Sequence, residues 1–225
     1  KSKVDDINSG KIPFMEEGVS ALLKKHVSKN FVSTVDYSCI EFCDYIILTL
    51  GTPVDENTNP VYDQINAAIH EAKPFIKPYQ TLVLRSTESP PTTQYVSTLV
   101  NDIDSLQVGK NFFLAFCPER ITEGNSVEEL KTIPQIIGGI DKKSIKRAEE
   151  LFKHIGVDTI PTDDVAAELA KLFTNMYRYI NFAIANEFMV LAQNYNKDIY
   201  EIINLVNYKY KRGGLQLPGL SAGPC

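Results

Sequence analysis

Short apolar runs alternate with amphipathic stretches from Asp44 onward, and that alternation predicts β-α units around a mainly parallel sheet. The runs rich in β-branched and aromatic residues are Phe31 to Thr34, Tyr45 to Thr49, Thr81 to Leu84, Phe112 to Phe116, Gln135 to Ile137 and Val157 to Ile160. Helical periodicity fills the intervals: Gly18 to Ser28, Tyr37 to Phe42, Tyr62 to Phe75, Thr92 to Asp102 and Lys142 to Ile155. Parallel strands need crossovers of this length, so the simplest fold is an α/β, Rossmann-like doubly wound sheet.

After Ile160 the pattern changes. Pro161 and Thr162 read as a stop and an N-cap, and Asp163 and Asp164 put negative charge in a first turn, where the helix dipole favours it. Val165, Leu169, Leu172, Phe173, Met176, Ile180, Ile184, Phe188 and Leu191 then keep a 3.6-residue period to about Tyr195, roughly 50 Å of helix at 1.5 Å per residue. A stripe that long needs more partner surface than one sheet offers, which predicts a bridge between domains or a subunit interface. Asp198, with Glu201 three residues later, opens a second helix through Val206, and the Gly- and Pro-rich RGGLQLPGLSAGPC reads as a loop.

Composition changes this picture little. The 225 residues carry 23 Lys and Arg against 28 Asp and Glu, a net charge of −5 with no block of either sign, which argues against a nucleic-acid or anionic-membrane partner. The longest apolar runs have strand length, well short of the roughly 20 residues that span a bilayer. Four cysteines, Cys39, Cys43, Cys117 and Cys225, are too few for a secreted disulfide framework, so a reducing cytoplasm is expected. Cys39 and Cys43 lack a second ligand pair at zinc spacing, and no metal site is expected. The chain opens on Lys1 and stops at Cys225 inside the Gly/Pro-rich stretch, which we read as a piece cut at both ends.

Candidate chemistry lies in loops after strands, the edge where open α/β sheets bind ligands. Gly51 to Pro60 is the first, with Thr52 near its start. Arg85 to Thr93 offers the hydroxyls of Ser86 and Thr87. Cys117 to Asn125 carries Glu119 and Glu123 with Arg120 between them, and reads either as an acid/base pair or as a solvated acidic loop. On the long helix Asp164, Glu168, Lys171, Asn175 and Arg178 share a sector of roughly 80°, which by periodicity alone is a Glu168–Lys171 ion pair on a solvated face. Cys225 is either an inert thiol or, beside a cation, a nucleophile.

Six segments together resemble the UDP-glucose / UDP-N-acetylmannosamine dehydrogenase family of nucleotide-sugar dehydrogenases: VDDINSGKIPFMEEG, DYIILTLGTPVDENTNP, RSTESPPTT, FFLAFCPERITEGNSVEELKTIPQIIGG, ELAKLFTNMYRYINFAIANE and LPGLSAGPC, in the family's order. The resemblance implies a four-electron oxidation of the C6 hydroxyl of a UDP-sugar, a UDP-N-acetylhexosamine or UDP-glucose, to the uronate with two NAD. It implies Cys225 as the nucleophile that forms a thiohemiacetal and then a thioester. It also implies that Lys171 and Asn175 hold water and the developing oxyanion, and that Glu123, with Thr87 as its polar partner, serves as base in thioester hydrolysis. By the same resemblance Lys3, Thr52, Ser86, Thr87 and Glu123 are expected near the cofactor, and Glu119, Arg120, Lys171, Asn175, Leu217, Gly219 and Ser221 near the sugar. The implied organisation is an NAD-binding domain over 1–161 lacking its first β-α-β part, a central helical and dimerisation region over 162–210, and a sugar-binding loop over 211–225. The family's GxGxxG turn and its C-terminal nucleotide domain are absent from these residues, so the piece alone is expected to be nearly inactive. Two alternatives remain: a non-catalytic folding and dimerisation module, or a relative acting on β-hydroxy acids, which carries no catalytic cysteine.

Overall fold

Three of the five strands come from runs of large apolar residues, and three are buried at every residue. The five are β1 (Tyr45–Leu48), β2 (Thr81–Leu84), β3 (Phe113–Phe116), β4 (Gln135–Gly139) and β5 (Thr159–Asp163), in the order β1-β2-β3-β4-β5. The structure, a computed structural model, describes residues 2–220 in two units, Lys1–Leu169 and Ala170–Cys225. The whole sheet lies in the first. Every residue of β2 and β3 is buried, which is why neither strand alternates apolar with polar.

Strands β1, β2 and β3 are parallel, as expected, whereas β4 runs antiparallel to β3 and β5 parallel to β4. The chain leaves β3 at its C-terminal end, makes the short helix α5 (Ser126–Thr132) and returns beside the same strand, pairing Phe116 with Gly138. That excursion therefore starts and finishes at one edge of the sheet. Glycine at 138 is required by packing: a Cβ there falls 2.4 Å from the Ala167 Cβ and 2.8 Å from the Asp163 carbonyl oxygen. Val83, Ala115, Cys117 and Ile137 pack with Ala148 and Phe152 of α6 (Lys142–Lys153), whose N-cap Asp141 accepts from the Lys143 and Ser144 amides. The remaining helices of this unit are α1 (Ser2–Asn8), α2 (Val19–His26), α3 (Asp63–Ala72) and α4 (Thr92–Asn101), the last two burying Ile65, Ile69, Val96 and Val100.

Three expectations are corrected. Phe31 to Thr34 forms no strand; Val27 and Phe31 make one isolated bridge and Val32 is exposed, because no sheet neighbour covers this β-prone run. The cap of the long helix α7 (Asp164–Asn194) is Asp163, whose Oδ1 accepts from the Ala166 amide at 2.8 Å, since β5 runs through Thr162 straight into the helix. The polar stripe of α7 is solvated only at Arg178: Asp164, Glu168, Lys171 and Asn175 are buried, while Phe173, Met176, Ile180 and Ile184 are exposed.

The second unit holds most of α7, then α8 (Ile199–Asn207), capped by Asp198 through the Tyr200 amide as its sequence predicts. Ala192, Ile199 and Ile203 form its small core. The segment after α8 is tied back by two asparagines. Asn207 bonds the Gly214 and Leu215 amides and the Leu215 carbonyl. Asn186 of α7 bonds both the amide and the carbonyl of Gly219.

Candidate functional site

Leu48, Leu84 and Phe116 are in register, so the chain leaves β1, β2 and β3 at one edge and three loops meet there. The loops are joined by backbone. Thr52 Oγ1 accepts from the Ser89 amide at 2.8 Å, and Gly51 lies so close to the next loop that a Cβ on it comes within 3.2 Å of the Thr87 carbonyl oxygen. Arg85 joins the second loop to the third: its guanidinium donates to the Cys117 carbonyl at 3.3 Å and to Gln135 Oε1 at 3.0 Å, and it lies over the Phe152 ring. The Glu119 amide donates to the Arg85 carbonyl at 3.0 Å.

Within the third loop, the Glu119 carboxylate accepts from the Ile121 amide and Arg120 donates to the Pro134 carbonyl. The Thr122 amide donates to Glu129 Oε2 at 2.6 Å, and Glu123 is exposed beside it. The edge thus gathers Thr52, Ser86, Thr87, Glu119 and Arg120, all half-buried, with Glu123 further along the same loop. Lys3 is exposed on α1. Lys171 and Asn175 belong to the second unit, where Asn175 Oδ1 accepts from Arg178 at 3.1 Å and its amide nitrogen is buried without a partner among the described residues. Leu217 and Gly219 lie on the segment that Asn186 holds, while Ser221 and Cys225 lie outside the described residues.

The sequence reading missed one carboxylate at this edge, Glu88, and the burial of another, Glu168. Glu88, between Thr87 and Ser89 in the second loop, is 0% exposed. Burial drives its pKa up to about 8; the nearby Thr52 hydroxyl offsets part of this, and Glu168 adds to it. Neither Glu88 oxygen meets a donor in hydrogen-bonding geometry among the described residues. Glu168 is likewise buried and raised, chiefly by desolvation, although its Oε1 accepts from the Thr93 amide at 2.7 Å and the Thr93 hydroxyl at 2.6 Å. No sequence signal marked Glu88, because a glutamate among Ser, Thr and Pro reads as solvent-facing. Glu168 was visible in the stripe but not its burial.

A parallel-stranded edge lined with hydroxyls and backbone amides defines a nucleotide-binding α/β domain. Comparison with known proteins makes this specific. Residues 1–156 match the NAD binding domain of the UDP-glucose/GDP-mannose dehydrogenase family, and residues 165–225 match the central domain of the same family. The chain belongs to the UDP-glucose/GDP-mannose dehydrogenase family. It is 32% identical to a UDP-N-acetyl-D-mannosamine dehydrogenase of Methanococcus aeolicus over 99% of its own length and 50% of that protein's. The solved structure of the UDP-D-ManNAc dehydrogenase of Pyrococcus horikoshii superposes with a TM-score of 0.91 at 28% identity, over 99% of this chain and 53% of that one. A ternary complex of GDP-mannose dehydrogenase from Pseudomonas aeruginosa gives 0.86 at 25% identity, over 95% and 50%. The chain thus spans about half the length of the curated relatives it matches.

NAD is the cofactor of this fold, and the residues at the edge fit part of it. Thr52, Ser86 and Thr87 supply half-buried hydroxyls of the kind that pair with ribose and amide groups. The 225 residues contain no GxGxxG turn, so we assign no residue to the pyrophosphate. Among the described residues no group of His, Cys, Asp and Glu could hold a metal ion, and no helix is long and apolar enough to cross a membrane.

Proposed function

We propose that the whole protein is an NAD-dependent nucleotide-sugar 6-dehydrogenase acting on a UDP-N-acetylhexosamine or UDP-glucose. The observation that carries this reading is the in-register ending of β1, β2 and β3, which gathers Thr52, Ser86, Thr87 and Glu119 at one edge of an NAD-binding domain of this family. The names of the relatives favour the N-acetylated sugar.

In this reading Cys225 adds as thiolate to the C6 aldehyde to give a thiohemiacetal, whose oxidation leaves a thioester that water cleaves, restoring the thiol. NAD supplies the acceptor: one C6 alcohol, one water and two NAD yield one carboxylate, two NADH and three protons. Lys171 and Asn175 orient water and offer donors to the oxyanion, as charge developing on oxygen requires. An ammonium also lowers a thiol's pKa. Glu123 takes the proton of the hydrolytic water, with Thr87 as its polar partner. Lys3, Thr52, Ser86 and Thr87 contact the cofactor; Glu119, Arg120, Leu217, Gly219 and Ser221 contact the sugar. We assign 1–161 to the cofactor domain, 162–210 to the central helical region and 211–225 to the sugar loop.

We further propose a homodimer through α7, supported by the exposure of Phe173, Met176, Ile180, Ile184, Phe188 and Leu191 along it. A cytoplasmic location is supported by the free thiols of Cys39, Cys43 and Cys117. Because these 225 residues hold no glycine-rich turn, we expect them alone to turn over little. The test is product analysis of the whole protein with UDP-N-acetylmannosamine, UDP-glucose and NAD. The native protein yields two NADH per acid formed, and Cys225→Ser yields no acid. Full acid production by Cys225→Ser removes the cysteine from the mechanism, and absence of NADH with every UDP-sugar refutes the activity.

A further inference from the structure

Glu16 lies in the connection between α1 and α2, yet its carboxylate is spent on a loop over a hundred residues away. Oε2 accepts from the Gly124 amide at 2.8 Å, and Oε1 accepts from the Ser126 amide at 2.8 Å and the Ser126 hydroxyl at 2.6 Å. These bonds hold the pKa of Glu16 below the usual carboxylate range, the Ser126 hydroxyl contributing most. Asn125 precedes α5 without capping it through its side chain, so the carboxylate serving the first amide of that helix, Ser126, comes from a distant segment. Gly18, two residues on, lies against Val127, which keeps the segment on the same turn.

What this grip fixes is Glu123. Its backbone is anchored before it by the Thr122 amide on Glu129 and after it by the Gly124 amide on Glu16, and Gly124 takes a left-handed φ of 93° that turns the chain there. We propose that Glu16 is a positioning residue: by holding Gly124 and Ser126 it sets the direction from which the Glu123 carboxylate reaches the hydrolytic water. This rests on Glu123 being the base of thioester hydrolysis, as proposed above.

The experiment compares Glu16→Ala, the isosteric Glu16→Gln, Glu123→Gln and the double variant Glu16→Ala/Glu123→Gln in the whole protein. A misplacement of about 1 Å costs on the order of 100-fold. We expect Glu16→Ala to lower kcat by about 10- to 100-fold, with the KM for sugar nucleotide and NAD moving less than about threefold. The acyl-enzyme should accumulate on acid quench and be detected by mass spectrometry. Glu123→Gln should show the same accumulation, and the double variant should be no slower than Glu123→Gln alone, because both act on one step. In the native protein the Gly124 and Ser126 amides should exchange slowly with deuterium, and in Glu16→Gln faster. Multiplying losses in the double variant, an unchanged kcat in the Glu16 variants, or unprotected Gly124 and Ser126 amides overturns the positioning role. An unchanged kcat in Glu123→Gln instead overturns the assignment of Glu123, and the positioning role with it.

Discussion

Replacing Glu88 by glutamine removes an ionisable proton and almost nothing else, which makes it a direct test of the buried acid at the sheet edge. In the folded chain Glu88 is fully buried and keeps its proton up to about pH 8, whereas the unfolded side chain ionises near 4.5. Below pH 4.5 both states are neutral and the group is neutral in its effect. Between 4.5 and 8 only the unfolded state releases its proton, so stability falls as pH rises, by about 1.4 kcal/mol per pH unit. At pH 7 the native residue therefore costs about 3 kcal/mol, and above pH 8 the cost levels off near 5 kcal/mol. Glutamine has no such dependence, although its amide protons gain no better partner than the carboxyl had. The assay is urea unfolding of native and Glu88→Gln protein at pH 5, 6, 7 and 8. The two should nearly coincide at pH 5 and diverge steadily to pH 8, by about 3 kcal/mol at pH 7. Stability curves that stay parallel across the window show that Glu88 ionises normally and that the edge is wetter than its geometry indicates.

Two other sites give sharp expectations. Gly138→Ala drives a methyl into Ala167 and the Asp163 carbonyl, both under 3 Å away, and in a packed strand should cost at least about 1–3 kcal/mol in urea unfolding; a change under about 0.5 kcal/mol contradicts the register of β4 against α7. Cys117 is buried, and burial pushes its thiol up to about 12, so iodoacetamide at pH 8 should label the exposed Cys39 and leave Cys117 untouched until the chain unfolds; early modification at Cys117 in a peptide map contradicts that core.

Most strands could be read from the chain within two residues of their ends, because β2 and β3 sit at the centre of the sheet and bury both faces. Their direction could not, since an apolar run has no polarity. The reversal at β4 depends on a seven-residue helix, Ser126–Thr132, whose acidic composition resembles a loop. The run Phe31 to Thr34 failed for the opposite reason: composition favoured a strand, but a strand needs a neighbour. At the site, Thr52, Ser86, Thr87 and Glu119 were accessible to sequence reasoning because they follow strands, and position after a strand is a linear property. Glu16 and Glu88 were not, because one acts across more than a hundred residues and the other differs from a surface glutamate only in what surrounds it.

The long helix carries that distinction furthest. Its apolar positions promised a core-facing stripe and its polar positions a wet one, and the observed burial is the reverse over much of its length: Asp164, Glu168, Lys171 and Asn175 are inside while Phe173, Met176, Ile180 and Ile184 are exposed. Burying four polar side chains on one face costs free energy unless partners satisfy them, and the Asp164, Glu168 and Asn175 side chains each retain an atom with no partner among the described residues. Such a cost is expected where polar groups must be preset for something other than folding, since donors arranged for a developing charge act best when water is excluded. The exposed apolar face has the opposite imbalance, too much hydrocarbon left in water. In the proposed dimer a second copy of α7 laid against it would correct that imbalance without disturbing the polar face, so dimer formation and the proposed chemistry would use different sides of the same helix. Replacing Ile180 and Ile184 together by lysine should then shift the protein toward monomer in sedimentation velocity, and an unchanged dimer would place the interface elsewhere.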